Sequence, residues 1–238
     1  MLGNTAVLHL SSEEWTAILL TLRIAVVATL AALPFGIFWA YALARWEFPG
    51  KTLIDGIVHL PLVLPPVVTG YLLLLTFGRK GVIGAYLAQH FNIVFAFRWT
   101  GAALACAVMG FPLMVRAMRL SFESIDQRLE QASGTLGAGP ILTFFIVSLP
   151  LALPGVIVGA ILAFARALGE FGATITFVSN IPGETQTISA AIYTYTQVPD
   201  GDANALRLTC ISIVIALSAL IGSELIQRHA QKRFARLG

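Results

Sequence analysis

Five predominantly apolar runs follow one another along the chain, separated by more polar segments. They cover residues 18–44, 57–77, 101–115, 149–173 and 208–226. A helix of about 20 apolar residues crosses a hydrocarbon layer about 30 Å thick. Because lipid offers the backbone no hydrogen-bond partners, each run is expected to be helical. The pattern predicts an all-α, polytopic transmembrane bundle of about five spanning helices, with room for a sixth.

The second run carries three prolines near its start, at Pro61, Pro65 and Pro66. Proline removes a backbone donor and clashes with the preceding helical turn. Irregular backbone at membrane depth persists only where protein or a water-filled cavity surrounds it. This run is therefore expected to be bent or broken.

The fourth run combines small residues with a pair of opposite charges. Small residues recur at every fourth position, which favours close helix packing: Gly155, Gly159, Ala163 and Ala167. Arg166 and Glu170 are also four residues apart, so their side chains share a helix face and can neutralise each other. A structural role for this pair and a role in transport both remain open.

The composition excludes an ordinary water-soluble domain. Hydrophobic residues make up 57% of the 238 residues and charged residues 11%, whereas soluble domains average about 25% charged. The net charge of +3 could suggest nucleic acid, but the basic residues are scattered and lie mostly at the ends of the apolar runs. We therefore expect this chain to be embedded in membrane lipid and to bind no nucleic acid.

Lysine and arginine positions predict the orientation, because cytoplasmic loops carry an excess of these residues. An N-terminus outside and a C-terminus inside places nine basic residues in the cytoplasm and four outside. The cytoplasmic set is Arg45, Lys51, Arg116, Arg119, Arg128, Arg228, Lys232, Arg233 and Arg236. The outer set is Arg79, Lys80, Arg98 and Arg207.

The polar loop of residues 116–140 lies between the third and fourth runs. Its apolar residues recur at steps of four and three, which predicts one amphipathic helix outside the membrane: Met118, Phe122, Ile125, Leu129, Ala132 and Leu136. Glycines and Pro140 end it. The apolar stripe could pack against the bundle, the membrane surface or a groove on a soluble partner.

Part of this loop resembles the EAA signature of ATP-binding-cassette importer permeases. The resemblance lies in Glu130-Gln131-Ala132, in Gly137 after four intervening residues, and in Leu149-Pro150. Gln131 departs from the pattern, which has alanine there. The resemblance implies a cytoplasmic coupling helix that docks on a separate ATPase, with Glu130 offering charge and Gly137 a sharp turn. It also implies a homodimer with two ATPase copies. The implied contact residues are Glu130, Gln131, Ala132, Gly137 and Ala138.

Two further stretches, residues 60–74 and 163–194, resemble molybdate permeases in amino-acid sequence and in their order along the chain. With the loop, the resemblance covers residues 15–227. It implies one permease domain over residues 1–238 in the bacterial inner membrane, supplied with an oxyanion by a periplasmic or extracellular binding protein. Tungstate and sulfate or thiosulfate remain alternative substrates.

Residues that adjoin the prolines and the charged pair are expected to line the passage. They are Pro65, Pro66, Val67, Val68 and Tyr71 in the second run, and Arg166, Glu170, Phe171 and Thr174 in the fourth.

No motif in the sequence indicates that this chain is itself an enzyme or binds a metal. Gly50-Lys51-Thr52 resembles the end of a phosphate-binding loop, but Arg45 stands where that motif requires glycine. The histidines, His9, His59, His90 and His229, lack ligand spacing for a metal site. We expect no enzymatic activity, no cofactor and no metal. The alternative from another class is an ATP-independent secondary transporter or channel.

Overall fold

The computed structural model describes the backbone of residues 10–234 and the side chains of residues 10–222. Over that part of the chain the structure is helical, without strands. The helices are α1 (Ser12–Arg45), α2 (Lys51–Val63), α3 (Pro66–Phe77), α4 (Val82–Phe91), α5 (Trp99–Glu123), α6 (Gln127–Thr135), α7 (Pro140–Thr143), a π-helical segment (Phe144–Ser148), α8 (Leu149–Leu168), α9 (Gly172–Val178), α10 (Ile188–Tyr195) and α11 (Asp202–Phe234).

Among the described residues, four helical stretches are long and apolar enough to cross a membrane. They are Ser12–Arg45, Trp99–Glu123, Pro140–Leu168 and Asp202–Gly222. The pair α2 and α3 makes a fifth when it is counted as one span with a 116° bend. The predicted all-α bundle of about five spans is confirmed. The basic side chains at 228–236, on which the predicted orientation partly rests, lie outside the described residues.

The predicted break in the second run is confirmed, and proline explains where it falls. Leu64 and Pro65 are extended, with ψ of 143° and 135°. A residue that precedes proline is driven out of the helical region by the proline ring. Pro66 then begins α3, where its missing N–H would have had no partner in the helix. As a result α2 packs against α5, whereas α3 packs against α9.

The centre of the bundle is formed by α5, which packs closely against α1 and α8. The predicted small-residue stripe on α8 lies at this contact and is buried. A Cβ added at Gly159 would lie 2.7 Å from the carbonyl oxygen of Met114. A Cβ added at Gly110 of α5 would lie 3.2 Å from Ala163. Small side chains therefore let these two backbones approach each other.

The prediction of one amphipathic helix over residues 116–140 is wrong. α5 continues to Glu123, and α6 begins only at Gln127, after a break that ends at Asp126. The Asp126 side chain accepts a hydrogen bond from the N–H of Arg128, at 2.9 Å, and so caps the new helix.

The apolar stripe is divided accordingly. Met118 and Phe122 extend the buried face of α5, and Ile125 is buried with them. Leu129 and Leu136 are 49% and 88% exposed. The spacing of apolar residues continues across the break because the segments on both sides are helical. The apolar residues of the stripe in α5 face the core, whereas those in α6 are exposed.

The predicted fourth span also has different ends. Helical structure begins at Pro140, nine residues before the predicted start, and α8 ends at Leu168. The chain then breaks at residues 169–171 before the short helix α9. Apolar composition continues through this break, so hydropathy alone did not reveal it.

An ion pair joins the first residues of α1 to those of α11. The Nη2 atom of Arg207 lies 2.6 and 2.7 Å from the two carboxylate oxygens of Glu14. Glu14 also accepts the N–H of Ser11 and completes a capping box at the start of α1. Burial and the carboxylates of Glu14 and Glu13 raise the pKa of the nearby Tyr195.

We predict that Glu14→Gln destabilises the protein, because it removes the carboxylate charge that lies against the largely buried Arg207 guanidinium. Removal of one partner of a buried pair lowers the free energy of unfolding by about 3–5 kcal/mol. Thermal unfolding in detergent micelles measures the change. Glu13→Gln is the matched control, since Glu13 is exposed and adjacent. Equal melting temperatures for the two variants would contradict the prediction.

Candidate functional site

The first candidate site is α6, which connects the third and fourth spans. The helix ends in a tight turn at Gly137, whose φ of +90° favours glycine because a side chain would be strained there. The N–H of Ala138 then donates to the carbonyl of Ser133, at 3.1 Å. The sharp turn predicted at Gly137 is therefore present, and it directs the chain into α7.

Glu130 lies on the inner face of α6. Its Oε1 atom lies 3.2 Å from Nε of Arg45 and accepts a hydrogen bond from the Ser148 hydroxyl, at 2.7 Å. Nη2 of Arg45 also donates to the carbonyl of Ile125, at 2.9 Å. The resemblance implied that this carboxylate contacts the ATPase. In the structure it instead contacts residues of its own chain. Sequence reasoning missed Arg45, which is 85 residues away in the chain.

The opposite side of α6 is open. Leu129, Ala132 and Leu136 are exposed on this side. A groove of about 770 Å³ runs beside them and is lined mainly by apolar side chains and by the turn at Gly137 and Ala138. Exposed apolar surface of this kind is available to lipid or to a partner protein. Three of the five predicted contact residues, Ala132, Gly137 and Ala138, line this groove. Gln131 lies beside Glu130 on the other side of α6.

The second candidate site is the place where the two broken spans meet. A Cβ added at Gly172, the first residue of α9, would lie 2.8 Å from Pro66, the first residue of α3. A Cβ added at Gly70 would lie 2.5 Å from the carbonyl oxygen of Ala173. The start of α9 therefore packs directly on the start of α3, and glycine is required on both sides of the contact.

Arg166 and Glu170 lie at this crossing and form the predicted pair. Nη1 of Arg166 is 2.7 Å from Oε2 of Glu170. The Glu170 side chain is 1% exposed and that of Arg166 is 31% exposed. Oε1 of Glu170 accepts the N–H of Ala173, at 2.8 Å, which caps α9. Oε2 has no hydrogen-bond partner among the described residues, so the ion pair with Arg166 is what compensates its burial.

The predicted lining residues divide into an exposed group and a buried group. Val67, Val68 and Tyr71 lie on the exposed face of α3, and Pro65 is exposed at the break. Pro66 and Phe171 are half-buried.

Thr174 belongs to the buried group. It is 2% exposed, and its hydroxyl donates to the carbonyl of Phe171. The residue supports the turn and presents no surface to a passage within one chain. Tyr193 of α10, which sequence reasoning missed, contacts Phe171 with a centroid distance of 5.2 Å and is exposed.

Known proteins resemble this chain over nearly its whole length. Residues 32–235 match the family model described as "Binding-protein-dependent transport system inner membrane component". The Escherichia coli K12 protein named "Molybdenum transport system permease protein ModB" is 59% identical over 95% of this chain and 99% of its own length. A Haemophilus influenzae protein of the same name is 54% identical over 94% of this chain and 97% of its own length.

A solved structure shares the fold. It is titled as a bacterial ABC transporter involved in the import of alginate, and its matched chain has a TM-score of 0.71 at 20% identity, with 96% of this chain and 82% of that chain covered. At this identity the match concerns the fold alone. Together with the membrane-spanning helices, the family match leads to one conclusion: the chain belongs to the binding-protein-dependent transport system inner membrane components.

Proposed function

We propose that this chain is the molybdate-conducting permease subunit of an ATP-binding-cassette importer. The observation that carries the proposal is the 59% identity, over 95% of the chain, to a protein named as a molybdenum transport permease. ATP hydrolysis belongs to a separate subunit, since Gly50-Lys51-Thr52 lacks the glycine of a phosphate-binding loop. The chain itself is non-catalytic and needs no cofactor.

The ATPase docks on the exposed side of α6. Leu129 and Leu136 provide apolar anchors beside the groove, in the helix-in-groove manner by which amphipathic helices bind partners. Arg45, Lys51 and Arg119 lie near the same end of the bundle, at the ends of α1, α2 and α5. This charge supports a cytoplasmic α6 and an N-terminus outside.

The passage forms between two copies of the chain. Val67, Val68 and Tyr71 on α3 are exposed, and so is Tyr193, which contacts Phe171 at the crossing. One chain leaves this face uncovered, and a second copy would enclose it. Two permeases then bind two ATPases, one on each α6, and a periplasmic oxyanion-binding protein delivers the substrate at the opposite side.

The crossing gives this passage one partly exposed cation, Arg166, whose charge Glu170 offsets. A weakly positive path attracts an oxyanion without holding it, which suits conduction. Both residues lie where α8 ends and α9 begins, so a displacement of α8, which packs closely against α5, would reach them.

We predict that reconstituted vesicles take up molybdate only when the permease, a cognate ATPase, the binding protein and ATP are all present. The energy for accumulation comes from the ATPase, so omission of ATP abolishes uptake. Radiolabelled molybdate measures it, and unlabelled tungstate or sulfate serves as competitor. Uptake by the permease without ATPase would instead identify a secondary transporter or channel. Uptake of sulfate in preference to molybdate would retain the importer and correct its substrate.

We also predict that the variant Arg166→Gln/Glu170→Gln folds normally but transports poorly. Arg166→Gln alone leaves a buried, uncompensated carboxylate and lowers thermal stability. The double variant removes both charges and recovers that stability. It lacks the cation of the passage, so its uptake falls by about tenfold or more.

Glu170→Gln alone is the matched comparison, because it keeps the cation and should retain uptake. Uptake at the unsubstituted level in a stable double variant would assign the pair a purely structural role.

A further inference from the structure

We propose that Arg45 is a positioning residue that fixes α6 to the end of α1, so that displacement of α6 by the ATPase is transmitted to the spans. The inference rests on the proposed function and adds to it the connection between the docking helix and the bundle. In this arrangement Glu130 acts inside the permease, as the acceptor of that connection, and the ATPase contacts the opposite side of α6.

Arg45 is placed to join separate segments. It is the last residue of α1, and its side chain is 7% exposed. Its guanidinium reaches the carbonyl of Ile125, in the break between α5 and α6, and the carboxylate of Glu130, within α6. The planar guanidinium of Arg45 thus contacts both the break before α6 and α6 itself.

The same carboxylate also binds the fourth span. Ser148, the last residue of the π-helical segment, donates to Oε1 of Glu130. One turn further along the same face, the hydroxyls of Ser133 and Thr143 lie 3.1 Å apart. Isolated π-helical turns are frequent at functional sites. Here the segment ends at the residue that completes the contact among α1, α6 and α8.

Polar contacts matter here because α6 has little apolar burial of its own. Ser133 is the one buried residue within α6. Leu129 and Leu136, the large apolar side chains in and after the helix, are exposed. With Arg45 neutralised, α6 retains its backbone connections and the weaker hydroxyl contacts. The ATPase could then displace α6 without displacing α1.

The test compares Arg45→Gln, Glu130→Gln and the double variant in vesicles that contain the assembled permease and ATPase. In Arg45→Gln, molybdate uptake per ATP hydrolysed should fall by about tenfold, within the usual range of coupling between sites. The ATPase should remain bound and continue to hydrolyse ATP. Because the two residues act through each other, the double variant should be no worse than either single variant.

Arg119→Gln is the matched control. Arg119 is also an arginine at this end of the bundle, paired with Glu123 and Asp55, and its described ion pairs involve no residue of α6. This variant should keep the unsubstituted ratio of uptake to hydrolysis. The proposal fails if Arg45→Gln keeps that ratio too, or if the losses in the two single variants multiply in the double variant. Loss of ATPase binding in Glu130→Gln but not in Arg45→Gln would also overturn it, by assigning Glu130 to the partner.

A distance measurement separates this inference from the proposed function. Spin labels at residues 47 and 136, both exposed, report the position of α6 relative to the end of α1 in the full-length permease in nanodiscs, with the exposed Cys210 replaced by serine. Arg45→Gln should broaden the distance distribution, and Arg119→Gln should not. An unchanged distribution overturns the role of Arg45 whatever the vesicles transport. Absence of ATP-driven uptake by the unsubstituted protein, with broadening still seen, refutes the proposed function alone.

Discussion

A helix can be interrupted inside a membrane only where its freed backbone groups are satisfied by protein, and this constraint governs the architecture of the bundle. In the described part of the chain, the interruption before Pro66 and the one before Gly172 lie against each other. The Glu170 carboxylate accepts a backbone N–H at the start of α9, and Arg166 compensates its charge. Gly70 and Gly172 allow the two backbones to come together. Each break therefore provides part of the environment that the other requires.

The rest of the bundle connects this crossing to α6. Close packing of α5 against α8, made possible by glycine and alanine, joins these two helices along their length. The π-helical segment and α8 continue from α7 without a break, so displacement at Ser148 reaches Arg166 along a single helical stretch. At the other end, Glu130 joins this stretch to α6 and to Arg45 of α1. The geometry thus offers a continuous path from the proposed docking surface to the proposed passage.

Local sequence patterns predicted the features that depend on local physics. Hydropathy located the spans, proline located the break at residue 65, and a spacing of four predicted both the glycine stripe and the Arg166–Glu170 pair. Contacts between distant segments could not be obtained this way. Arg45 and Glu130 are 85 residues apart, and Glu14 and Arg207 are 193 apart. The sequence showed charged residues at these positions but not which ones would meet.

The spacing of apolar residues gave a wrong prediction where it happens to continue from one helix into the next. Met118 to Leu136 read as one amphipathic helix, whereas a cap at Asp126 separates a buried segment from an exposed one. Resemblance supplied the docking role of the region around Glu130 to Ala138, which spacing alone had left open among three partners. The structure then redirected Glu130 inward and left Leu129 and Leu136 as the exposed apolar surface.

Site-specific photo-crosslinking tests most directly whether the ATPase binds to α6. A photoreactive amino acid at position 136, on the exposed turn after α6, is compared with one at position 82, at the start of α4, where the native side chain is 87% exposed. The account predicts that position 136 crosslinks to the ATPase in intact cells and that position 82 does not. Crosslinking of the ATPase from position 82, with none from position 136, would contradict it.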